Sequence, residues 1–257
     1  MMLGASAAIA GNTVRELVRS KLFYNLLLFA VLFIGGSLFV AQLTIGNWAR
    51  IILDMGLGAI EVAGAVMAII IGVGLVAGEV ERKTILPTLA KPVPRWAFFV
   101  GRYTGLTGLL AVNVGLMLLM LTLVLRLAGY GLNATAVEAA LLIAVELAVL
   151  AAVALLFASF STPILASAFG FSVFVIGHLV SDLQAFADKS KSEAARALAR
   201  GFYFLLPDLE LLNLKSHAAN ELPVAAAFVW RSAAYGLVYA AVMLLLAIVI
   251  FSRRDFN

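Results

Sequence analysis

Apolar residues run through this chain in long blocks, broken by short polar connections, with neither the strict alternation of a half-buried strand nor the narrow stripe of a soluble helix. Six blocks, at about 22–45, 51–77, 98–127, 137–160, 163–183 and 224–251, are long enough to cross a hydrocarbon core, which takes about 20 helical residues. Each must be helical, because lipid offers no partner to a backbone N–H or C=O group. The pattern therefore predicts an all-α membrane protein of six transmembrane helices, with residues 1–257 forming a single transmembrane domain. The third block is longer than a bilayer needs and is expected to tilt or to extend into the cytoplasm. Three stretches lie outside the blocks: 1–21, 78–97 and 184–223. The first places Leu3, Ile9, Val14, Leu17 and Val18 among Arg15, Glu16 and Arg19, the pattern of an amphipathic helix lying in the interface.

Composition agrees with lipid as the solvent. Of 257 residues, 64% are hydrophobic and 12% charged, against about 45–50% and 25% in soluble domains. With no cysteine, disulfides, thiolate metal sites, iron–sulfur clusters and thiol catalysis are excluded. The formal charge of +4 is better explained by membrane topology than by a nucleic-acid partner, since the basic residues gather at the ends of apolar blocks. Arg15, Arg19 and Lys21 precede the first block; Arg82, Lys83, Lys91, Arg95 and Arg102 lie around the second connection; Arg253 and Arg254 follow the last block. The short connections on the other side hold only Arg50 and Arg126. The asymmetry predicts cytoplasmic N- and C-termini. The first block is too long for the apolar core of a cleaved signal peptide and is expected to remain as a span.

The inner connection reads GEVERKTILPTLAKPVPRWA. Residues 81–90 would form a short helix with Ile85, Leu86 and Leu89 on one face, ended by Lys91-Pro92. An ordinary charged loop is one reading. The other is a transverse helix that docks in a cytoplasmic partner, with Glu79, Glu81, Arg82 and Lys83 as polar contacts. In the outer connection, Ser192 and EAARALARGFYFLL suggest a capped amphipathic helix, and Pro207-Asp208 opens a second helical stretch, DLELLNLKSHAAN. Its leucines, Leu209 and Leu212 among them, are too apolar for a solvated loop and are expected to rest on the outer membrane face. There they would form a gate or a dock for a periplasmic partner.

Charges inside a bilayer are costly and count as functional candidates. Glu61 and Glu146 fall near the middles of the second and fourth blocks, and with Asn113 they are candidates for a substrate path. The competing reading is that each is protonated or hydrogen-bonded between helices. His178 and Asp182 lie one helical turn apart, but that pair lacks a third ligand, so no metal is expected. The glycines at 56, 58, 64, 72, 74 and 78 suggest close helix packing.

The inner segment GEVERKTILPTLAKPVPRWAFFVGRYTGL closely resembles the defining region of ABC-2 type exporter permeases, most of all the branch associated with maturation of copper enzymes of the nitrous oxide reductase type. The matching positions are Glu79, Glu81, Arg82, Thr84, Lys91, Pro92, Val93, Arg95, Gly101, Arg102 and Tyr103; the outer FLLPDLELLNLKS and the closing FSRRDF are similar to the same branch. The resemblance implies an N-terminal elbow helix, a cytoplasmic coupling helix between the second and third spans, and a re-entrant outer segment before the sixth. It also implies a second permease copy and two separate ATPase subunits that bind ATP and magnesium. This chain has no G-x-x-x-x-G-K-[ST] loop for nucleotide phosphates, so no catalytic residue is assigned to it. Two alternatives keep their place: an ATP-driven mechanical transducer acting on a periplasmic protein, and an intramembrane enzyme. The enzyme is disfavoured by two histidines and no H-E-x-x-H spacing.

Overall fold

A computed structural model describes residues 2–19, 21–42, 47–81, 95–180 and 206–253, with Glu193 and Gly201 as isolated helical positions. Among the described residues all regular structure is helical. The elements are α1 (Met2–Val18), α2 (Lys21–Gln42), α3 (Trp48–Glu81), α4 (Arg95–Leu127), α5 (Ala134–Phe160), α6 (Pro163–His178), a 3₁₀ turn (Glu210–Leu212), α7 (Lys215–Ala219) and α8 (Ala226–Ser252). Four of these, α3, α4, α5 and α8, are long and apolar enough to cross a membrane, whereas the apolar helix of the fifth block stops at His178.

Helix ends follow local chemistry. Asn133 caps α5 by accepting a hydrogen bond from the Ala136 amide at 2.8 Å, and Gly129, at φ +85°, turns the chain after α4. Pro163 starts α6, where its missing N–H is not needed. One boundary departs from expectation: α3 continues through Glu79 to Glu81, so residues 78–81 belong to the helix and not to the connection. Polar composition marks where lipid ends, and a helix can continue into water beyond that point. With 34 residues in α3 and 33 in α4, the two helices run roughly 50 Å, well beyond a ~30 Å hydrocarbon core.

α5 is the centre of the bundle, in contact with α3, α8, α4, α6 and α7. α4 and α8 keep apolar side chains exposed, including Val112, Leu116, Leu119 and Leu123 on α4 and Trp230, Leu237, Val238 and Leu245 on α8. These are faces for lipid or for other membrane helices. Close packing around α3 relies on glycines eight residues apart. A Cβ on Gly56 would strike Leu121 of α4, one on Gly64 would lie 2.5 Å from Leu147 of α5, and one on Gly72 would lie 3.0 Å from Ala154. Gly58 and Gly74 meet nothing within 4 Å, so only part of the glycine-rich face is used for packing within the chain.

Residues 2–18 are helical, and this helix lies against α4. Gly101 and Gly105 allow the contact: a Cβ on either would come within 2.9 Å of the α1 backbone, at Ser6 O and Ala10 O respectively. Arg102 then donates to Glu16 at 2.7 Å, approaches Thr13 Oγ1 at 3.4 Å and sits over the Phe98 ring. Tyr103 donates to the Ala148 carbonyl at 3.3 Å and ties α4 to α5.

The outer segment differs most from expectation. Its described part, from Leu206 to Ala225, forms a wedge that buries Leu209, Leu212, Leu214 and Ala218 against the helices and leaves Glu210, Leu211, Ser216, His217 and 220–223 exposed. The stretch after Pro207 forms two short turns, not one helix, with Asn213 between them; Asn213 donates to Glu210 and accepts from the Lys215 amide at 3.2 Å. Leu209 and Leu212 are both fully buried. Leu209 sits against Gly177 and its amide donates to the Gly177 carbonyl at 3.0 Å, and Leu212 lies against Gly236 of α8. They therefore fasten the segment to the bundle and offer no surface to a partner. Backbone polar groups in the wedge are satisfied from the bundle. Asn133 donates to Ala218 O at 2.7 Å, Thr135 to Leu222 O at 3.2 Å, and the Asp208 amide to Tyr235 Oη at 2.9 Å.

Candidate functional site

Three helices and the wedge converge on one buried polar cluster. Glu61 lies thirteen residues from the start of α3 and Glu146 twelve from the start of α5, roughly 20 Å along each helix. His178 closes α6, and Lys215 opens α7. Because the Trp48 end of α3, the Asn133 end of α5 and the His178 end of α6 share one side of the bundle with the wedge, Lys215 reaches Glu61 from the same side. Glu61 is 3% exposed and Glu146 is fully buried.

Glu61 is the hub. Its Oε1 lies 2.9 Å from His178 Nε2, and its Oε2 accepts from Lys215 Nζ. His178 Nδ1 lies 2.9 Å from the Phe174 carbonyl, which can only accept, so Nδ1 carries a hydrogen and Nε2 faces the acids. Glu146 Oε1 is 3.7 Å from the same Nε2, too long for a hydrogen bond, and neither Glu146 oxygen has a hydrogen-bond partner among the described residues. The cluster thus holds two buried carboxyl groups beside one amine and one imidazole, the last two each 19% exposed. Leaving any of these charges uncompensated there would be costly.

The sequence brought forward Glu61 and Glu146, and the structure unites them. Asn113 does not join them: it donates to Met67 Sδ at 3.1 Å, and Met67 is roughly 9 Å of helix rise from Glu61. The expectation of no metal rested on the pair His178 and Asp182. Asp182 lies outside the described residues, while Glu61 and Glu146 supply the carboxylates that the pair lacked, with one ligand atom from each of Glu61, Glu146 and His178 within 4.8 Å of one another. Lys215 was missed altogether; its only signal was a lone cation in the apolar stretch LLNLKSHAAN.

The expected coupling residues are largely beyond what the structure describes. Arg82, Thr84, Ile85, Leu86, Leu89 and Lys91 lie outside the described residues, and so does the transverse helix expected at 81–90 beyond its first residue. Glu79 and Glu81 fall on the last turn of α3, and Arg95 opens α4. The motif residues on α4 are placed: Gly101 and Arg102 dock α1, and Tyr103 reaches α5.

No curated protein sequence matches the chain. A family model described as ABC-2 family transporter protein matches residues 7–256. With nearly the whole chain covered, apolar helices of spanning length and the α4 motif in place, this protein belongs to the ABC-2 transporter family and is a membrane permease component of an ATP-binding cassette system.

Proposed function

We propose that the chain is the permease of an exporter that works as a pair with two cytoplasmic ATPase subunits, which bind ATP and magnesium in its place. Within the family we group it with the copper-enzyme maturation permeases, on the inner motif, FLLPDLELLNLKS and FSRRDF. In this reading the chain spans an inner membrane six times with both termini cytoplasmic, α1 is an interfacial elbow, and residues 78–97 form the coupling segment. The observation that carries it is the family match over residues 7–256. The reach of α3 and α4 beyond a bilayer supports it further, since both helices flank residues 82–94 and can transmit a push from that segment.

The wedge also favours a second reading. Lys215 is held by Glu61 on α3, so displacement of α3 would move the outer segment. An ATP-driven transducer could use that movement on a periplasmic protein without carrying a substrate. Vesicles reconstituted with permease and ATPase distinguish the two. Export predicts ATP-dependent accumulation of a substrate; transduction predicts ATP turnover that responds to the periplasmic partner with no flux. ATP turnover that is indifferent to the permease would contradict both.

A further inference from the structure

We propose that Glu61, Glu146 and His178 form a binding site for a divalent first-row transition metal ion, and that Lys215 is the internal cation the ion displaces. The three ligand atoms come from three different helices and lie within 4.8 Å of one another, close enough to bind a single ion after small side-chain rotations. Two independent features point to an ion.

The first is Glu146. It is fully buried, it is aimed at His178 and Glu61, and both of its oxygens are without hydrogen-bond partners among the described residues. A buried acceptor left in that state needs an explanation, and a bound ion is one that also answers the second carboxylate beside it. The second is the orientation of His178. Its Nδ1–H is spent on the Phe174 carbonyl, the arrangement that fixes the ring of a metal-binding histidine and presents Nε2 as the ligand. Nε2 then faces Glu61 Oε1 at 2.9 Å and Glu146 Oε1 at 3.7 Å. Two carboxylates and one imidazole make an oxygen-rich, thiolate-free donor set, which suits Mn(II), Fe(II), Co(II) or Zn(II).

Lys215 makes the site an exchange site. It neutralises one carboxylate, which leaves the pair of acids one positive charge short when the imidazole is neutral. An ion with two charges satisfies both acids and removes the need for Lys215 at Glu61. The Asn133 bond to Ala218 and the Leu209 bond to Gly177 do not pass through Lys215, so the wedge stays attached when the ammonium leaves. A proton shared between the two carboxyls, or held on Nε2, would relieve the same repulsion without any metal.

Co(II) is the probe, because its visible absorption reports ligand number and Zn(II) competition can be followed by its loss. Metal-stripped full-length protein in detergent should take up one Co(II) per chain. Glu146→Gln and His178→Ala should each weaken binding by more than the 10–100-fold typical of residues that only support a ligand. Lys215→Met should tighten binding on the order of tenfold, a shift of about 1.4 kcal/mol; a gain of this kind cannot arise from misfolding. His217→Ala, at the only other histidine and on an exposed position, should leave binding unchanged. Absence of Co(II) binding by the unsubstituted protein overturns the proposal and leaves a proton as the occupant. Binding that survives Glu146→Gln and His178→Ala, or that does not tighten in Lys215→Met, overturns it too. Neither outcome bears on whether the chain engages an ATPase.

Discussion

Lys215 and Glu61 stand 154 positions apart and meet inside the helix bundle, the ammonium on the carboxylate. The contact adds a charged tie to the packing of the outer segment on α3, α5, α6 and α8. It also brings a charged side chain to a depth where α3 and α5 supply two acids and α6 an imidazole. A shift of α3 relative to the wedge beyond the reach of the lysine side chain must break this contact.

Removal of one member of a buried pair leaves the other charge uncompensated, which typically costs about 3–5 kcal/mol, whereas loss of both costs far less. Lys215→Gln and Glu61→Gln should therefore each lower the thermal midpoint of the purified protein in metal-free buffer. The double variant Glu61→Gln/Lys215→Gln should be more stable than the sum of the single losses predicts. Strict additivity would mean that the two groups do not depend on each other.

The seat of α1 on α4 depends on where glycine stands. At Gly105 a Cβ would lie 2.8 Å from the Ala10 carbonyl, a backbone atom that cannot rotate aside, while at Gly108 it would meet nothing within 4 Å. Gly105→Ala should loosen α1 and speed tryptic cleavage after Arg15 and Arg19. Gly108→Ala should leave cleavage unchanged and stabilise the helix by about 0.5–1 kcal/mol through propensity alone. Equal protease sensitivity of the two variants would refute the packing of α1.

Leu209 and Leu212 are fully buried, whereas Leu222 is 52% exposed. Truncation of a buried leucine costs about 2–5 kcal/mol, and serine adds a hydroxyl that needs a partner. Leu209→Ser and Leu212→Ser should each destabilise the protein strongly, and Leu222→Ser by less than about 0.5 kcal/mol. Retention of normal stability with loss of a periplasmic interaction would restore these leucines as a docking face.

What could be read from the sequence was whatever is carried by local pattern. Block length gave the long helices, and the cost of charge in lipid brought out Glu61 and Glu146. Helical spacing identifies neighbours on one helix but is silent on which helix lies opposite. Spacing therefore pairs His178 with Asp182, four positions on, whereas its ring reaches Glu61, 117 positions away. Lys215 escaped notice because a lysine in a connection is ordinarily solvated; only the folding of that connection into the bundle gives it a partner. Arg102 was legible as part of a motif, while its grip on Glu16 required the close approach that Gly101 and Gly105 permit. The leucines after Pro207 showed that the segment covers apolar surface, but composition cannot separate lipid from protein as the surface covered.

Dependence on a separate ATPase through residues 78–97 is the centre of the functional proposal, and co-purification tests it most directly. Permease and ATPase are expressed together and the permease is captured, either unsubstituted or as Leu86→Asp, with Leu222→Asp as an exposed control on the outer segment. A charge on the docking face would have to be buried unpaired, at a cost of several kcal/mol. The ATPase should therefore accompany the unsubstituted chain and Leu222→Asp and be lost from Leu86→Asp. Recovery of the ATPase in undiminished amount with Leu86→Asp would contradict the coupling assignment.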